Sequence, residues 1–447
     1  MRRTIALHLA VITIVCAINN FRLLPRTNEY LAWDSRSYVD TAESLAAGRG
    51  FTRNAGATFR VSHMSGYPWR VEPDTFRTPG YPLLVAASRT LREVIVIQHL
   101  MNVALAVALY LFVLSVLSSP AIAFAAALIF AWFPPNAHYA NMILTETLFT
   151  VLLFATIVAT YFAIERRSLL LASITGSLLG IATLTRPIAL YFVIPLALIA
   201  FVRSRRIVIA LIVASLVLPV AWMARNRQVS GVATLSTASA ENALFQLAAA
   251  IEVTKEKSAL YRMTSSQQQF GFRRVLQDEQ RQLFLEAMAL ARADGVDPAA
   301  ANSATRATYL QRRAVPIIVS HPIALAELMV SGILEMDVVE VADIGNEYGF
   351  DNRDSESRFL PLVLIAIALL AVGVWRLYAV DATLALLIAV TIGYFSVAAA
   401  IPETGIRYAL IFAPFYSIGL AYGGAELVRY IRARRLATSG PSYTKPV

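Results

Sequence analysis

Charged side chains are scarce in this sequence. Asp, Glu, Lys and Arg make up only 15% of its 447 residues, whereas 57% are hydrophobic. Soluble domains carry about a quarter charged residues, so the composition excludes an ordinary soluble protein and indicates a polytopic membrane protein. The net charge of +10 would otherwise suggest nucleic acid. Because the basic residues lie in short clusters between apolar runs, we interpret them as topology signals and lipid contacts, with no nucleic-acid partner.

Several signatures of soluble enzymes are also missing. The single cysteine, Cys16, lies in the first apolar run and excludes an intramolecular disulfide. The sequence has no P-loop and no Gly-x-Ser-x-Gly motif, which argues against nucleotide chemistry and against a serine hydrolase. Among the five histidines no two have metal-ligand spacing. His63 and His138 could meet on the outer face, so a divalent metal is possible but unsupported, and we expect no cofactor.

Long apolar runs predict an all-α fold with about ten transmembrane helices. A spanning helix needs about 20 apolar residues. The stretch from 169 to 202 would be about 50 Å long as one helix, so we expect it to cross twice, with Arg186 at the outer turn. The first run has no small-residue cleavage site and is interpreted as a retained helix. The predicted runs are 4–24, 94–117, 120–134, 147–164, 169–185, 187–202, 207–224, 359–379, 381–400 and 408–428.

The positions of basic clusters predict the topology. Clusters around 166–167 and 203–206 flank the expected hairpin, and basic residues prefer the cytoplasm, so we expect both termini to be cytoplasmic. The predicted organisation has four parts: an N-terminal membrane module (1–224) with an outer loop at 25–93, an extracytoplasmic helical segment (225–358), C-terminal membrane helices (359–428) and a basic cytoplasmic tail (429–447). In the outer segment, the apolar stretch 314–339 is interpreted as helices lying on the membrane.

The loop from Trp33 to Pro82 is too long for a simple connection between two spanning helices. About fifty residues, rich in glycine, aromatic and ionisable side chains, indicate a working surface. A helix is predicted from Ser35 to Ala47, ending at Gly48, which would place Tyr38 one turn after Asp34. Asp34 is then either a helix N-cap or a functional carboxylate.

Three arginines are predicted near the outer membrane boundary: Arg77, Arg186 and Arg407. Arginine can hold phosphate with two parallel hydrogen bonds, which favours a phosphate-binding role; the alternative is that each is an interfacial anchor. Glu146 lies at the start of a predicted helix. It either complements the helix dipole or orients an arginine or a substrate hydroxyl.

Together these residues resemble a known family. The chain is similar to the bacterial GT-C superfamily of integral-membrane glycosyltransferases, which includes protein mannosyltransferases and lipid A aminoarabinose transferases, and most of all to its RgtA/B/C/D-like and ArnT-like members. The signals that carry the resemblance are Trp33-Asp34 with Tyr38, Gly48-Arg49-Gly50-Phe51, Arg77-Thr78-Pro79-Gly80-Tyr81-Pro82, Thr145-Glu146, Leu184-Thr185-Arg186-Pro187, Trp222 with Arg225-Asn226, and Arg407-Tyr408.

The resemblance implies an inverting glycosyltransferase at the outer face of a bacterial cytoplasmic membrane. Its donor would be a polyprenyl-phosphate sugar, and its acceptor an envelope lipid, polysaccharide or protein. Asp34 matches the family's catalytic base. The lipid phosphate maps onto the three arginines, and the substrate cavity onto Tyr38, Tyr81, Glu146 and Tyr408. Where many relatives carry a second acidic residue, this chain has Ser35, so no role of that acidic pair is carried over.

Two other functions have the same composition. A lipid or solute transporter, or a flippase, would place ionisable residues near the bilayer midplane. An inactive relative of the family would retain the fold alone. The collection of ionisable residues at the outer boundary favours the enzyme.

Overall fold

The computed structural model describes residues 2–22, 24, 31, 34–54, 71–255, 269–334, 352–400 and 406–438. Trp33 and His63, both named above, lie outside these residues. The helices, in chain order, are α1 (Arg2–Phe21), α2 (Ser35–Ala46), α3 (Gly80–Ala87), α4 (Leu91–Leu117), α5 (Pro120–Trp132), α6 (Pro134–Ala140), α7 (Glu146–Arg166), α8 (Leu169–Thr185), α9 (Val193–Phe201), α10 (Arg205–Ser230), α11 (Ala238–Glu241), α12 (Ala249–Thr254), α13 (Gln269–Ala293), α14 (Ser303–Ser320), α15 (Pro322–Leu334), α16 (Asn352–Tyr378), α17 (Ala382–Ala399), α18 (Ile406–Ala409) and α19 (Ala413–Thr438). This is an all-α polytopic membrane protein.

Apolar helices long enough to cross a membrane number seven within the described ranges, or up to nine if each of two bent pairs counts as one crossing. Seven of the ten predicted runs coincide with these seven spans, the last of which consists of α18, a 3-10 turn over Leu410–Phe412, and α19. They are the runs at 4–24, 94–117, 147–164, 207–224, 359–379, 381–400 and 408–428.

The other three predicted runs correspond to helices that are broken or short. α5 ends at Trp132 and bends by 47° into α6, where Pro134 begins a new helix. α8 has 17 residues, and after Arg186 a 3-10 turn over Pro187–Phe192 leads into α9. The predicted turn at Arg186 is therefore present, between two helices that are shorter than the other spans.

Apolar side chains from these helices form one large core. Most of its members come from α1, α4, α5, α7, α8, α17 and α19, and the largest fully buried ones are aromatic, such as Phe149, Phe395 and Phe415. Burial of such side chains removes 150–250 Å² each from solvent or lipid, so they dominate the packing. This core fixes the positions of the helix ends, which carry the ionisable residues described below.

The predicted outer loop contains the helices α2 and α3 and a small sheet. Of these elements, the sequence predicted only α2. α2 ends as predicted, since Gly48 adopts a left-handed conformation with φ of 71°. The strands β1 (Thr52–Asn54) and β2 (Val71–Pro73) pair antiparallel, with Arg53 opposite Glu72. α3 then lies against the end of α8.

The predicted outer segment has its own apolar core. A π-helical stretch, Asn242–Ala248, connects α11 to α12, and these elements pack with α13, α14 and α15. α14 and α15 meet at a bend of 96° where Pro322 follows His321. The proposal that this pair lies on the membrane surface stays a prediction.

Candidate active site

Asp34 occupies the N-cap position of α2 but does not cap the helix with its side chain. Its two carboxylate oxygens face two arginines instead. Oδ1 accepts a hydrogen bond from Arg77 Nη2 at 2.9 Å, and Oδ2 accepts one from Arg407 Nη2 at 3.0 Å. About a third of the Asp34 side chain remains exposed, so a substrate can reach it. The side chain of Asp34 therefore does not act as a helix cap, and its role as a functional carboxylate stays a prediction.

Arg77 projects from the turn after β2 onto the first turn of α2. Its Nε donates to Ser37 Oγ at 2.7 Å, and its Nη1 donates to Tyr38 Oη at 3.0 Å. The guanidinium also lies over the Tyr38 ring, 4.2 Å from the centroid. Five donors in a fixed plane can satisfy all these partners at once, which lysine could not do. Tyr38 is therefore placed one turn after Asp34, as predicted, and supports Arg77.

Arg407 joins the two carboxylates of the site. Its Nη2 reaches Asp34, and its Nε lies 3.6 Å from Glu146 Oε1. The same Nη2 donates to Tyr408 Oη at 3.0 Å, and the guanidinium lies over that ring at 4.8 Å. Arg407 sits at the start of the last apolar span, so it brings the C-terminal helices to the outer loop.

Glu146 and Arg186 form the buried end of the site. Glu146 is the first residue of α7 and only 2% exposed, while Arg186 follows the last residue of α8 in an extended conformation. Arg186 Nη1 lies 2.9 Å from Glu146 Oε1, and this buried nitrogen makes no hydrogen bond of good geometry within the described residues. Its guanidinium also faces the ring of Tyr408 at 5.0 Å. Arg186 can therefore offer a donor to an incoming anion.

The five ionisable groups form an alternating row: Arg77, Asp34, Arg407, Glu146 and Arg186. Three cations and two anions leave one positive charge, in a partly buried position where electrostatic interactions are stronger than in water. The arrangement therefore suits a singly charged anion, such as a phosphodiester. All five groups lie at or near the ends of helices or short turns, and their predicted position at the outer face of the membrane stays a prediction.

The two arginines control the ionisation of Asp34. Burial works to raise the pKa of this carboxyl group, but the charges of Arg77 and Arg407 and their hydrogen bonds lower it well below its usual range. Burial likewise opposes the charge of Arg77, but Tyr38 and Asp34 raise the pKa of its guanidinium. Asp34 is consequently a carboxylate at any physiological pH.

Tyr81 is a correction to the predicted cavity lining. It is fully buried, donates a hydrogen bond from its hydroxyl to Gln98 Oε1 at 2.8 Å, and packs edge-on against Tyr38. A tyrosine whose hydroxyl is satisfied inside the protein cannot face a substrate, so Tyr81 supports Tyr38 from behind. Its burial follows from its place in α3, close against α8.

Sequence reasoning missed two residues that hold Arg77. Ser37 accepts its Nε–H, and Asp74, three positions before Arg77, accepts hydrogen bonds from the backbone of the same turn. An aspartate before a turn is a recognisable signal, because its side chain often bonds to N–H groups two and three positions further on. No group of three or more His, Cys, Asp or Glu side chains suited to a metal occurs in the part of the chain that the structure describes.

Comparison with known proteins points to one family. Residues 81–288 match the model of a family described as dolichyl-phosphate-mannose-protein mannosyltransferase. The match includes Glu146 and Arg186 and covers 208 of the 447 residues, just under half of the chain. No curated protein matches the sequence. With its apolar helices, the match supports a multi-pass membrane glycosyltransferase of the GT-C type.

Proposed function

We propose that this protein is an inverting glycosyltransferase that moves a sugar from a polyprenyl-phosphate donor to an acceptor hydroxyl in the cell envelope. The observation that carries the proposal is the position of the Asp34 carboxylate between Arg77 and Arg407, beside the Glu146–Arg186 pair. A base next to a phosphate-binding group of arginines is what transfer from a lipid phosphate requires.

The reaction is a single displacement. The acceptor hydroxyl oxygen forms a bond to the anomeric carbon of the donor sugar, and its proton passes to Asp34. The bond between that carbon and the phosphate oxygen breaks, and its electron pair leaves with the polyprenyl phosphate. One displacement inverts the configuration at the anomeric carbon. Phosphate is a good leaving group, so one carboxylate suffices, whereas glycosidases need two.

The arginines bind and stabilise the leaving phosphate. The donor phosphodiester carries one negative charge, matching the excess positive charge of the row, and the product phosphate carries more. Arg77, Arg186 and Arg407 would stabilise the charge that gathers during bond breaking. When the donor phosphate accepts hydrogen bonds from Arg77 and Arg407, Asp34 shares these two donors with the phosphate. The Asp34 carboxylate then becomes more basic at the stage when it must accept the proton of the acceptor hydroxyl.

The position of the site favours this function over transport. Glu146 begins α7 and Arg186 follows α8, so the charges collect at helix ends rather than in the middle of the spans, where transporters hold their coupling ions. We further propose that the site faces the outside of a bacterial cytoplasmic membrane, with both termini in the cytoplasm. The acceptor would be a lipid, polysaccharide or protein of the envelope, and membrane lipids would surround the bundle.

The test uses purified protein in nanodiscs with polyprenyl-phosphate mannose, the sugar named by the matched family, and then with other hexosyl and pentosyl donors. Release of polyprenyl phosphate is measured for the wild type and for Asp34→Asn. We expect turnover for at least one donor and its loss, by about 10³-fold or more, in the variant. Asp278→Asn, an exposed aspartate on α13, is the matched control. Turnover that survives in Asp34→Asn would overturn the assignment of the base.

A further inference from the structure

The turn that carries Arg77 is organised around Asp74, a fully buried carboxylate outside the row of five charges. Asp74 Oδ1 accepts hydrogen bonds from the backbone N–H of Phe76 at 2.7 Å and of Arg77 at 3.1 Å. Two such bonds from one oxygen set the direction in which the backbone leaves the turn. The direction of the Arg77 side chain follows from them.

The other oxygen of Asp74 reaches the helix that begins directly after Asp34. Oδ2 accepts a hydrogen bond from Thr41 Oγ1 on α2 at 2.7 Å. One side chain therefore fixes both the element that follows the proposed base and the turn that holds the phosphate-binding arginine. The 2.9 Å contact between Asp34 and Arg77 spans the gap between these two elements.

The negative charge of Asp74 has a counter-ion, Arg53, which also lies 3.8 Å from the carboxylate of Glu72. Arg53 Nε lies 3.5 Å from Asp74 Oδ1, and the Arg53 side chain is itself buried. A buried charge without a partner would be strongly unfavourable, and Arg53 supplies a positive charge beside the Asp74 carboxylate. Arg53 also donates from Nη2 to Ser303 Oγ at 3.0 Å, which connects β1 to α14 in the outer segment.

The outer segment holds the opposite side of the same turn. Ser236 Oγ donates to the carbonyl of Phe76 at 2.6 Å, and Thr237 N–H donates to the carbonyl of Thr75 at 2.9 Å. Arg225 Nη1 donates to the carbonyl of Asp74 at 2.6 Å. The turn from Asp74 to Arg77 is therefore bonded by the Asp74 side chain on one side and by three residues of the outer segment on the other.

We propose that Asp74 is a positioning residue that places Arg77 against Asp34, and that the outer segment completes this placement. The inference rests on the proposed function, since it assigns Asp74 to the same phosphate site. A misplacement of about 1 Å in such a site can cost about 100-fold in rate. In this proposal Asp74 makes no contact with the substrate and acts through the placement of Arg77 relative to Asp34.

A double-mutant cycle on transfer and on polyprenyl-phosphate binding tests this assignment. Asp74→Ala should lower kcat/KM for the donor by about 10- to 100-fold, mainly by raising KM, and should reduce the thermal stabilisation that polyprenyl phosphate gives. Asp74→Asn keeps an acceptor oxygen for the two N–H groups and should recover most of this loss. In an Arg77→Ala background, Asp74→Ala should cause no further loss, because its effect passes through Arg77.

A second pair of variants tests the same role in case Asp74→Ala does not fold. Thr41→Val removes only the hydroxyl that reaches Asp74, and its control, Thr175→Val, removes a buried hydroxyl that bonds to a carbonyl four residues earlier in α8. We expect a raised donor KM in the first and an unchanged KM in the second.

The outcomes separate the two proposals. If the wild type neither transfers sugar nor binds polyprenyl phosphate, the proposed function is overturned, and the positioning role is overturned with it. If the wild type is active but the effects of Asp74→Ala and Arg77→Ala multiply, or Thr41→Val leaves the donor KM unchanged, the positioning role alone is overturned.

Discussion

Asp34 and Arg407 form an ion pair of 3.0 Å although 373 positions separate them in the chain. This contact joins the first outer loop to the last membrane span. With the 2.9 Å contact between Asp34 and Arg77, it leaves neither oxygen of the proposed base without a cationic partner. The resting site therefore holds a strongly ionised, weakly basic carboxylate that a phosphate can compete to release.

The first prediction concerns pH. The pKa of Asp34 in the folded protein lies below its unfolded value of about 3.9, so its contribution to stability is fully present above that value and is lost as pH falls through the folded pKa. We expect kcat/KM, which reports the free enzyme, to show no acid loss above about pH 5. The acid limb of kcat, which reports the donor complex, should lie at higher pH, because the phosphate then shares the arginines.

The control for this profile is Arg407→Ala, which removes one cation from Asp34 and should move the acid limb of kcat/KM upward. Identical acid limbs for kcat and kcat/KM in the wild type would contradict a release of Asp34 by the donor phosphate.

The second prediction concerns the phosphate-binding arginines. Arg186→Ala and Arg407→Ala should each raise the donor KM by about 10- to 100-fold, since a hydrogen bond to a charged group is worth about 1.5–3 kcal/mol. Arg186→Lys should recover part of this loss. Arg312→Ala, on the outer segment, removes an exposed partner of Asp294 and serves as the control. Unchanged affinity in both site variants would place the phosphate elsewhere.

The third prediction concerns Glu146. Its carboxylate is buried between Arg186 and Arg407, so Glu146→Gln leaves two buried cations with less compensation. Breaking a buried pair in this way typically costs about 3–5 kcal/mol of stability. We expect a lower Tm in detergent and, because a competing anion is gone, tighter binding of polyprenyl phosphate. Weaker phosphate binding at an unchanged Tm would instead indicate direct contact between Glu146 and the substrate.

The fourth prediction concerns Gly80, where α3 meets the end of α8. A Cβ at this position would lie 2.5 Å from Thr185 Oγ1 and 2.8 Å from the carbonyl oxygen of Leu184. Gly80→Ala must therefore push α3 away and separate Arg77 from Arg186. We expect at least a 10-fold loss of transfer, measured per folded protein. Gly424→Ala, whose Cβ meets nothing within 4 Å, should be neutral, and equal effects of the two would argue against this close contact.

Much of the fold could be predicted because its signals are local. Hydropathy located seven long helices, and a glycine ended α2 where expected. The turn before Pro187 was predicted from the length of the apolar stretch. The bend at Pro134 was not predicted, since a proline after an apolar run is compatible with either a kink or a new helix. The pairing of β1 with β2 was not predicted. Each strand has only three residues, too few for a periodic pattern.

Most of the proposed site residues could also be selected from the sequence, as most of the helices could. Four of them are ionisable residues at the borders of apolar runs, where a charged side chain is costly and therefore indicates a functional role: Asp34, Arg77, Arg186 and Arg407. Asp74 gave a weaker signal, because aspartate before a turn is common. Tyr81 was placed in the cavity from its motif, whereas its hydroxyl bonds to Gln98 inside the protein.

The amino-acid sequence by itself determined the membrane class, the helical architecture and the set of ionisable groups near one end of the bundle. These follow from composition and local spacing. Only the tertiary structure decided that Arg407 joins Asp34 to Glu146, that Arg186 keeps an available donor, and that Asp74 holds the turn of Arg77. Such contacts depend on how distant helix ends pack, and the packing is set by the whole core rather than by any local stretch of chain.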